Sequence, residues 1–196
     1  SAWKEARAWY WLGAHGSEEV PARLAAFGAG AAAARRAAAA APAAPEGNFW
    51  LAANLGARAE RAGRREAMRD RAPIKRALEA TLAGTPGRWR AAAERALGRY
   101  YAQVPAALGG SLTRAEQHYR AALAASDVGA LTYWYLADVL RAMGRTADAT
   151  AALRAAVASA EDPEWREEDA DARRAARAGL TSSGRVSAGA PPAGRP

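Results

Sequence analysis

Alanine limits the fold of this chain more than any other residue type. Of the 196 residues, 60 are alanine and only seven are valine or isoleucine. Alanine is the strongest helix former, whereas β-branched residues favour strands, so the sequence offers little from which to build a sheet. A chain of this length can also bury a continuous core without disulfides or metals. The composition therefore predicts an all-α protein.

Apolar and small residues recur in four windows with the spacing of a paired-helix repeat. The clearest window places Leu136, Ala137 and Leu140 on a first helix that ends at Gly144, and a packed stripe over 149–156 on the second. The small residue lets the two helices approach, and the larger neighbours fill the groove between them. Because one pair cannot bury its face alone, pairs stack. The pattern predicts a tetratricopeptide-like α-solenoid of about four helix pairs.

The anchor leucines of the four windows are farther apart than a standard repeat of about 34 residues allows. Successive anchors are separated by 39, 46 and 39 residues. The extra residues are predicted to form long connections between paired helices, and the second helix of the second pair is predicted to begin at 73–75. The anchors are Leu12, Leu51, Leu97 and Leu136.

The end of the chain differs from the repeats. Residues 161–180 have Pro163 and acidic residues at their start and arginines near their end, an order that complements the helix dipole and predicts a C-terminal capping helix. Residues 181–196 are rich in Ser, Gly, Ala and Pro without periodic apolar residues, which predicts a disordered tail. The predicted repeat domain is therefore 1–180.

Four segments carry a family resemblance. They read PEGNFWLAANLGARAE, APIKRALEATLAGTPGRW, ALGRYYAQVPAALGGSLTRAEQHYRAAL and DPEWREEDADARRAA, in that order. Together they resemble the T component of tripartite ATP-independent periplasmic transporters, a bacterial lipoprotein family of tetratricopeptide type that is similar to the eukaryotic regulators of microtubule dynamics. The resemblance extends over residues 3–180, and its most specific parts are WLAANLG at 50–56, PIK at 73–75 and the passage 97–110.

The resemblance implies a periplasmic, membrane-anchored accessory that associates with a solute-binding protein or a membrane-complex subunit. It also implies openings that admit a small apolar ligand, and it allows an oligomer. The chain departs from the family in having no cysteine to lipidate and in the alanine-rich stretch 28–41. No apolar run approaches the ~20 residues of a membrane-spanning helix, so none is expected.

In a repeat of this kind the first helix of each pair lines the concave surface, and positions two before and two after the anchor leucine face the groove. Aromatic rings beside arginines in such a groove suit an extended peptide or an amphipathic ligand with a negative group, because arginine binds carboxylates bidentately. The alternative is that the aromatic residues form the core and the arginines are solvated. The predicted groove residues are Tyr10, Phe49, Arg95, Arg99, Trp134 and Asp138.

Two further features have a binding and a structural interpretation. Asn54 lies in the apolar run WLAANLG, where its amide either orients a ligand or makes a structural hydrogen bond. The densest basic stretch either contacts anionic lipid headgroups or an acidic partner surface, or is simply a solvated charged face. This predicted basic surface comprises Arg61, Arg64, Arg65 and Arg69.

Charge and catalytic motifs exclude other functions to different degrees. The net charge of +8 comes from 26 arginines and two lysines, but 20 acidic residues are interleaved with them, which resembles the coding bias of a GC-rich genome more than a nucleic-acid surface. The two histidines, His15 and His118, lack the spaced partners that a metal site or a catalytic triad needs. We therefore expect no enzyme and no cofactor.

These patterns lead to one main hypothesis and one rival. The main hypothesis is a non-catalytic protein-binding scaffold in the periplasm or cell envelope, accessory to a transporter or another membrane complex. The rival is a cytoplasmic repeat adaptor that binds the peptide tails of a partner protein. An RNA-binding repeat is a third class, and it would show binding that weakens steeply with salt.

Overall fold

The computed structural model describes residues 1–84, 88–126 and 129–188. Over these ranges the chain forms nine α-helices and one short 3-10 turn at Ala106–Leu108, and no strand, so the all-α prediction is confirmed. The helices are α1 (Ala2–His15), α2 (Val20–Ala40), α3 (Pro45–Ala62), α4 (Arg64–Ala83), α5 (Arg88–Gln103), α6 (Leu112–Ala125), α7 (Ala130–Ala142), α8 (Thr146–Ala158) and α9 (Arg166–Ala188).

The helices belong to two compact units. The N-terminal unit spans 1–100 and the C-terminal unit spans 101–196, so the boundary falls within α5. In the N-terminal unit α1 packs on α2, α2 on α3 and α3 on α4, and α1 also contacts α3. In the C-terminal unit α6 packs on α7, α7 on α8 and α8 on α9, and α7 also contacts α9. Each unit is thus a run of packed neighbouring helices.

The connection between α3 and α4 differs from the prediction. Only Gly63 separates the two helices, with a φ of 94° that favours glycine. The extra residues between the second and third anchors therefore lengthen the paired helices and do not form a long loop there. Pro73, predicted to begin the second helix, lies inside α4. Its fixed φ is compatible with a helix, but it lacks the N–H that would donate to the carbonyl four residues earlier, and its ring crowds that carbonyl.

The turn after α7 matches the prediction, and a further glycine turn precedes α6. Gly144, with a φ of 78°, follows α7 where the sequence predicts the end of the first helix of the last pair. Gly109 adopts a left-handed conformation with a φ of 93° before α6. The Ser111 side chain then accepts a hydrogen bond from the Arg114 amide at 3.2 Å and caps α6.

Both ends of α9 differ from the predicted boundaries. The helix begins at Arg166, and Pro163 lies in the turn that precedes it. The sequence places the end of this helix at Leu180, whereas α9 continues to Ala188. The last eight positions of the predicted tail, 189–196, lie outside the described residues.

The alanine-rich second helix is packed on both sides in spite of its small side chains. Ala31, Ala33 and Ala34 are completely buried in α2. A Cβ on Gly47 of α3 would lie 2.5 Å from the backbone nitrogen of Ala38, so the two backbones nearly touch. Small residues along α2 therefore allow the neighbouring helices to approach closely. Dispersion contacts over this short distance stabilise the packing in place of contacts from larger side chains.

The four anchor leucines have different environments. Leu97 and Leu136 are buried, Leu51 is half-buried, and Leu12 is half exposed. In α1 the buried position is the next residue, Gly13, where a Cβ would lie 2.7 Å from the Phe27 ring. Helix α1 therefore packs through its small residues, and its leucine faces outward.

Candidate functional site

An open groove lies on the surface of the C-terminal unit. Its volume is about 490 Å³, within the range of about 300–1,000 Å³ typical of small-molecule sites. Three consecutive helices build it: α6 and α8 form the walls and α7 forms the floor. The lining residues are Arg120, Leu123, Tyr133, Leu136, Leu140, Asp148, Ala151, Ala152 and Ala155.

The body of the groove is apolar. Tyr133, Leu136 and Leu140 recur at helical spacing along one face of α7, and the two leucines are buried. The α8 wall carries alanines, of which Ala151 is exposed at the rim. Alanine on this wall keeps the groove open, because a larger residue would project into the space above the leucines. The floor is therefore apolar, and the partly exposed apolar surface of the groove comes from Leu123, Tyr133 and Ala155.

A four-residue charge network lies at the groove. Arg145, between α7 and α8, donates from Nη1 to both carboxylate oxygens of Glu116 on α6, at 2.8 Å each. Glu116 also accepts from the Arg120 Nε at 2.9 Å. Arg145 donates from Nε to Asp148 at 2.8 Å. The network thus links the two walls, and its members Arg120 and Asp148 also line the groove.

Glu116 is the least exposed member of this network, with its side chain 13% exposed. Burial raises the pKa of its carboxyl, but the hydrogen bonds and charges of Arg120 and Arg145 outweigh burial and hold the pKa below its ordinary value of 4.5. The carboxylate is therefore ionised at neutral pH. An ionised Glu116 between two arginines fixes how α6 meets the start of α8.

The groove can bind an apolar segment that carries a polar anchor. The Arg120 side chain is 55% exposed, and its Nε and Nη2 face Glu116. Asp148, 53% exposed, provides an opposite charge on the other wall. Arginine offers five N–H donors in a fixed planar arrangement, so a second carboxylate can be recognised beside the apolar floor.

The predicted groove residues of the C-terminal unit do not line this groove. Trp134 is half-buried on α7, with its ring centroid 5.3 Å from that of Tyr135. Asp138 is exposed and bonds to Arg141 at 3.1 Å. Neither residue is among the lining set, and Tyr133, which immediately precedes Trp134, is. A shift of one residue turns a side chain by about 100° around a helix, onto a different face.

The predicted aromatic groove residues of the N-terminal unit belong to its core. Phe49 is 3% exposed, and its ring centroid lies 5.2 Å from Trp50 and 5.1 Å from Trp89. Tyr10 is half-buried, 5.5 Å from Trp50 and 6.0 Å from Phe27. These tilted and edge-on arrangements are those that aromatic pairs prefer. For these residues the structure matches the alternative in which the aromatics form the core.

Asn54 makes structural hydrogen bonds. Its side chain is completely buried, and Nδ2 donates to the Ala6 carbonyl at 3.1 Å and the Trp50 carbonyl at 2.8 Å. Its Oδ1 lies over the backbone of Gly30, where a Cβ would approach to 2.1 Å. The amide therefore joins α3 to α1 and fits α2 only because residue 30 is glycine.

The two predicted groove arginines lie on α5 in different environments. Arg95 is 8% exposed, so its guanidinium belongs to the interior and is not solvated. Arg99 is half-buried and donates from Nε to Glu60 of α3 at 2.8 Å. Because Glu60 holds Arg99 against α3, this arginine ties two helices together.

The predicted basic surface lies where α3 meets α4, and all four of its residues are exposed. The Arg61 guanidinium lies 5.3 Å from the centroid of the Phe27 ring. Arg69 contacts Asp70 at 3.3 Å, but Asp70 is 4% exposed and also accepts from the Arg58 Nε at 3.1 Å. Asp70, the buried acid next to this surface, is therefore already bonded to arginines within the fold.

The two histidines lie on different helices, and each stacks on one aromatic neighbour. His15 is stacked on Trp11 at 5.3 Å, and His118 on Tyr101 at 5.2 Å. Within the described ranges no group of three or more His, Cys, Asp or Glu side chains could hold a metal ion.

Sequence reasoning missed the charge network and Asp169. Glu116 and Arg120 stand at i and i+4, a spacing that would have indicated the pair, but Arg145 comes from a turn far along the chain. Asp169 of α9 is completely buried and accepts from the amides of Leu131 at 3.0 Å and Asp162 at 2.9 Å. It lies in an acidic run that reads as exposed, so only the tertiary structure identifies it.

Two further observations bear on what the chain is. In the described part of the chain, no helix combines the length and the apolar character that crossing a bilayer requires. No family model matches the chain, and no curated protein matches it at a significant level.

Proposed function

We propose that this chain is a tetratricopeptide-like helical-repeat scaffold that binds a partner protein without catalysis, and that the groove on α6, α7 and α8 receives a segment of that partner. The observation that carries the proposal is the groove itself, with its apolar floor and its partly exposed Arg120 and Asp148. A surface of this kind binds by burying apolar side chains while a few polar groups fix their orientation.

The packing order of the helices supports the repeat part of the proposal. In each unit a helix contacts the next helix along the chain, and alternate helices meet as well, as α1 meets α3 and α7 meets α9. Stacked helix pairs generate these contacts, because each pair covers the face that its neighbour leaves open. The 13-residue helices α7 and α8, closed by Gly144, are the best representatives of the pattern.

The chemistry of the groove supports a peptide segment of defined character as the ligand. Leu136 and Leu140 favour leucine-like or aromatic side chains, and the alanines of α8 leave room for them. Arg120 favours an acidic residue or a terminal carboxylate next to the apolar part. Such a ligand suits a short amphipathic helix or an extended tail.

The location of the partner rests on the family resemblance. WLAANLG and the passage 97–110 support an envelope-located accessory to a transporter or another membrane complex. The groove alone fits the rival equally well, a cytoplasmic adaptor for peptide tails. The two hypotheses share the binding surface and differ in the partner, so one experiment on the intact chain separates them.

Site-specific photo-crosslinking in the source organism tests the proposal. Benzoylphenylalanine replaces Tyr133 in the groove in one form and the adjacent Trp134 in a matched control, and crosslinked partners are identified by mass spectrometry. We expect Tyr133 to capture a solute-binding protein or membrane-complex subunit that the Trp134 form does not capture. We also expect Ala151→Trp, which fills the groove from an exposed position, to abolish the capture.

Each other outcome has a definite meaning. If groove-dependent capture yields cytoplasmic proteins alone, the envelope part of the proposal is wrong and the adaptor hypothesis replaces it. If the two crosslinking positions capture the same proteins, or Ala151→Trp changes nothing, the groove is not the binding surface.

A further inference from the structure

The exposed face of α4 carries an unusual set of side chains. Between 64 and 76 every fully exposed position of this helix is an arginine, a methionine or an alanine, and none is acidic. These positions repeat at helical spacing and therefore form one continuous strip. We call this strip the α4 basic face; it comprises Arg64, Arg65, Met68, Arg69, Ala72 and Arg76.

The acidic residues of this part of α4 offset only part of the charge of that face, since Asp70 contacts Arg69 at 3.3 Å. Asp70 is buried on the opposite side of the helix, where Arg58 of α3 bonds to it at 3.1 Å. Glu66 is half-buried, and the next acid, Glu79, forms an ion pair with Lys75 at 2.9 Å. The exposed arginines of the face other than Arg69 thus direct positive charge to solvent.

Met68 distinguishes this face from a solvated charged surface. It is 42% exposed and is one of three large hydrophobic side chains exposed among the described residues. It stands between Arg64 and Ala72 along the same strip, so cationic groups surround a flexible apolar side chain. A helix that lies in a membrane interface combines these features, because arginines attract anionic headgroups while apolar side chains enter the acyl boundary.

We propose that the α4 basic face is a binding surface for membranes that contain anionic phospholipid. The charge complements lipid phosphates, and Met68 contributes contacts that a purely ionic partner would not use. Arg61, in the last turn of α3, is also exposed, but its guanidinium lies over the Phe27 ring and is not part of the strip. The surface lies on a helix that does not form the groove, and it works whether or not the groove binds a protein.

Vesicle binding by the intact chain tests this proposal. The probes are vesicles of equal parts phosphatidylglycerol and phosphatidylcholine, and vesicles of phosphatidylcholine alone, at low and high salt. We expect binding to the anionic vesicles alone and weakening with salt. Each arginine near an anionic surface contributes about five-fold in partition coefficient, so Arg64→Glu with Arg65→Glu lowers binding by at least about 25-fold.

A matched control separates local charge from net charge. Arg35→Glu with Arg154→Glu makes the same change in net charge at two exposed arginines elsewhere on the chain. We expect this control to lower vesicle binding by less than about three-fold, because attraction falls off within a Debye length. Thermal unfolding followed by circular dichroism establishes that both double variants are folded.

Met68→Gln distinguishes lipid from nucleic acid, the other polyanion that a basic face can bind. We expect Met68→Gln to lower vesicle binding at least about four-fold, the value of one buried methylene. The unchanged protein is also titrated with duplex RNA. If the two double variants bind vesicles equally, if neutral vesicles bind as well as anionic ones, or if RNA binds while vesicles do not, the proposal is overturned. It is also overturned if Met68→Gln leaves vesicle binding unchanged.

Discussion

The two units of this molecule are both helical but reach their packing by different means. The N-terminal unit combines large aromatic residues with close backbone contacts, as in the Trp50 cluster and the approach of Gly47 to α2. The C-terminal unit uses leucine against alanine, and the Glu116 network and Asp169 fix its helices. The groove on the second unit is lined by alanines of α8 and leucines of α7.

The largest expected effect concerns the aromatic core of the N-terminal unit. Trp50 is completely buried and contacts Tyr10, Phe49 and Trp89. Trp50→Ala should lower the free energy of unfolding by about 3–5 kcal/mol, because it leaves a large cavity. Urea denaturation with hydrogen exchange in α2 and α3 measures the loss. Trp134→Ala, at a half-buried position, should cost less than half as much; equal losses would contradict the assignment of the core.

The next effect concerns the polar anchor of the C-terminal unit. Asp169→Ala should lower the free energy of unfolding by about 2–4 kcal/mol, because the buried amide of Leu131 and the part-buried amide of Asp162 each lose their acceptor. Denaturant titration measures this change. The control is Asp171→Ala, an exposed position on the same helix, which should change stability by less than about 0.5 kcal/mol. Equal effects at the two positions would show that Asp169 is not an anchor.

The close approach of α2 and α3 is tested by two glycine substitutions that should change stability by smaller amounts and in opposite directions. Gly47→Ala should destabilise the protein by about 1–3 kcal/mol, since the new methyl would meet the backbone of Ala38. Gly56→Ala, on the same helix with open space around its Cα, should instead stabilise by about 0.5–1 kcal/mol. Thermal denaturation of both variants gives the two signs. Stabilisation by Gly47→Ala would mean that the helices are farther apart.

The smallest effect concerns pH and the C-terminal unit. The folded pKa of Glu116 lies below its ordinary value of 4.5, so its contribution is fully present above that pH and is lost as the pH falls through the folded pKa. Glu116→Gln should remove this part of the acid dependence, about 1 kcal/mol at neutral pH. Denaturant titration at a series of pH values from 7 downward measures this change in the free energy of unfolding. Glu5→Gln, whose ion pair is exposed, is the control. Identical pH profiles for Glu116→Gln and the unchanged chain would contradict the network.

The comparison also explains which features the sequence could predict. Helical character and the turn at Gly144 depend on local propensity, so alanine content and turn residues were sufficient to predict them. The short turn at Gly63 was missed because extra residues can lengthen helices or loops, and spacing alone does not decide between them. Pro73 gave the wrong signal because proline is common at helix starts.

The candidate site was harder to predict because it depends on which face of a helix turns outward. Phe49 fits a groove position by repeat spacing, but tertiary packing turns it into the core, where Asn54 of the same helix is also buried. The lining of the observed groove comes from three helices, with Tyr133 one residue away from the predicted Trp134. The basic surface, in contrast, could be read from the sequence, because a dense run of arginines around a helix end seldom has room to be buried.

The most direct test of the central claim is a binding titration at the groove. Peptides selected by display against the intact chain are titrated with the unchanged protein, with Ala151→Trp in the groove, and with Ala124→Trp at an exposed position of α6 outside the lining. We expect selected peptides to combine apolar side chains with an acidic group, and Ala151→Trp to weaken their binding by at least about ten-fold, or about 1.4 kcal/mol, while Ala124→Trp leaves it unchanged. Equal affinity of the two tryptophan variants would contradict the claim that this groove is where the protein binds its partner.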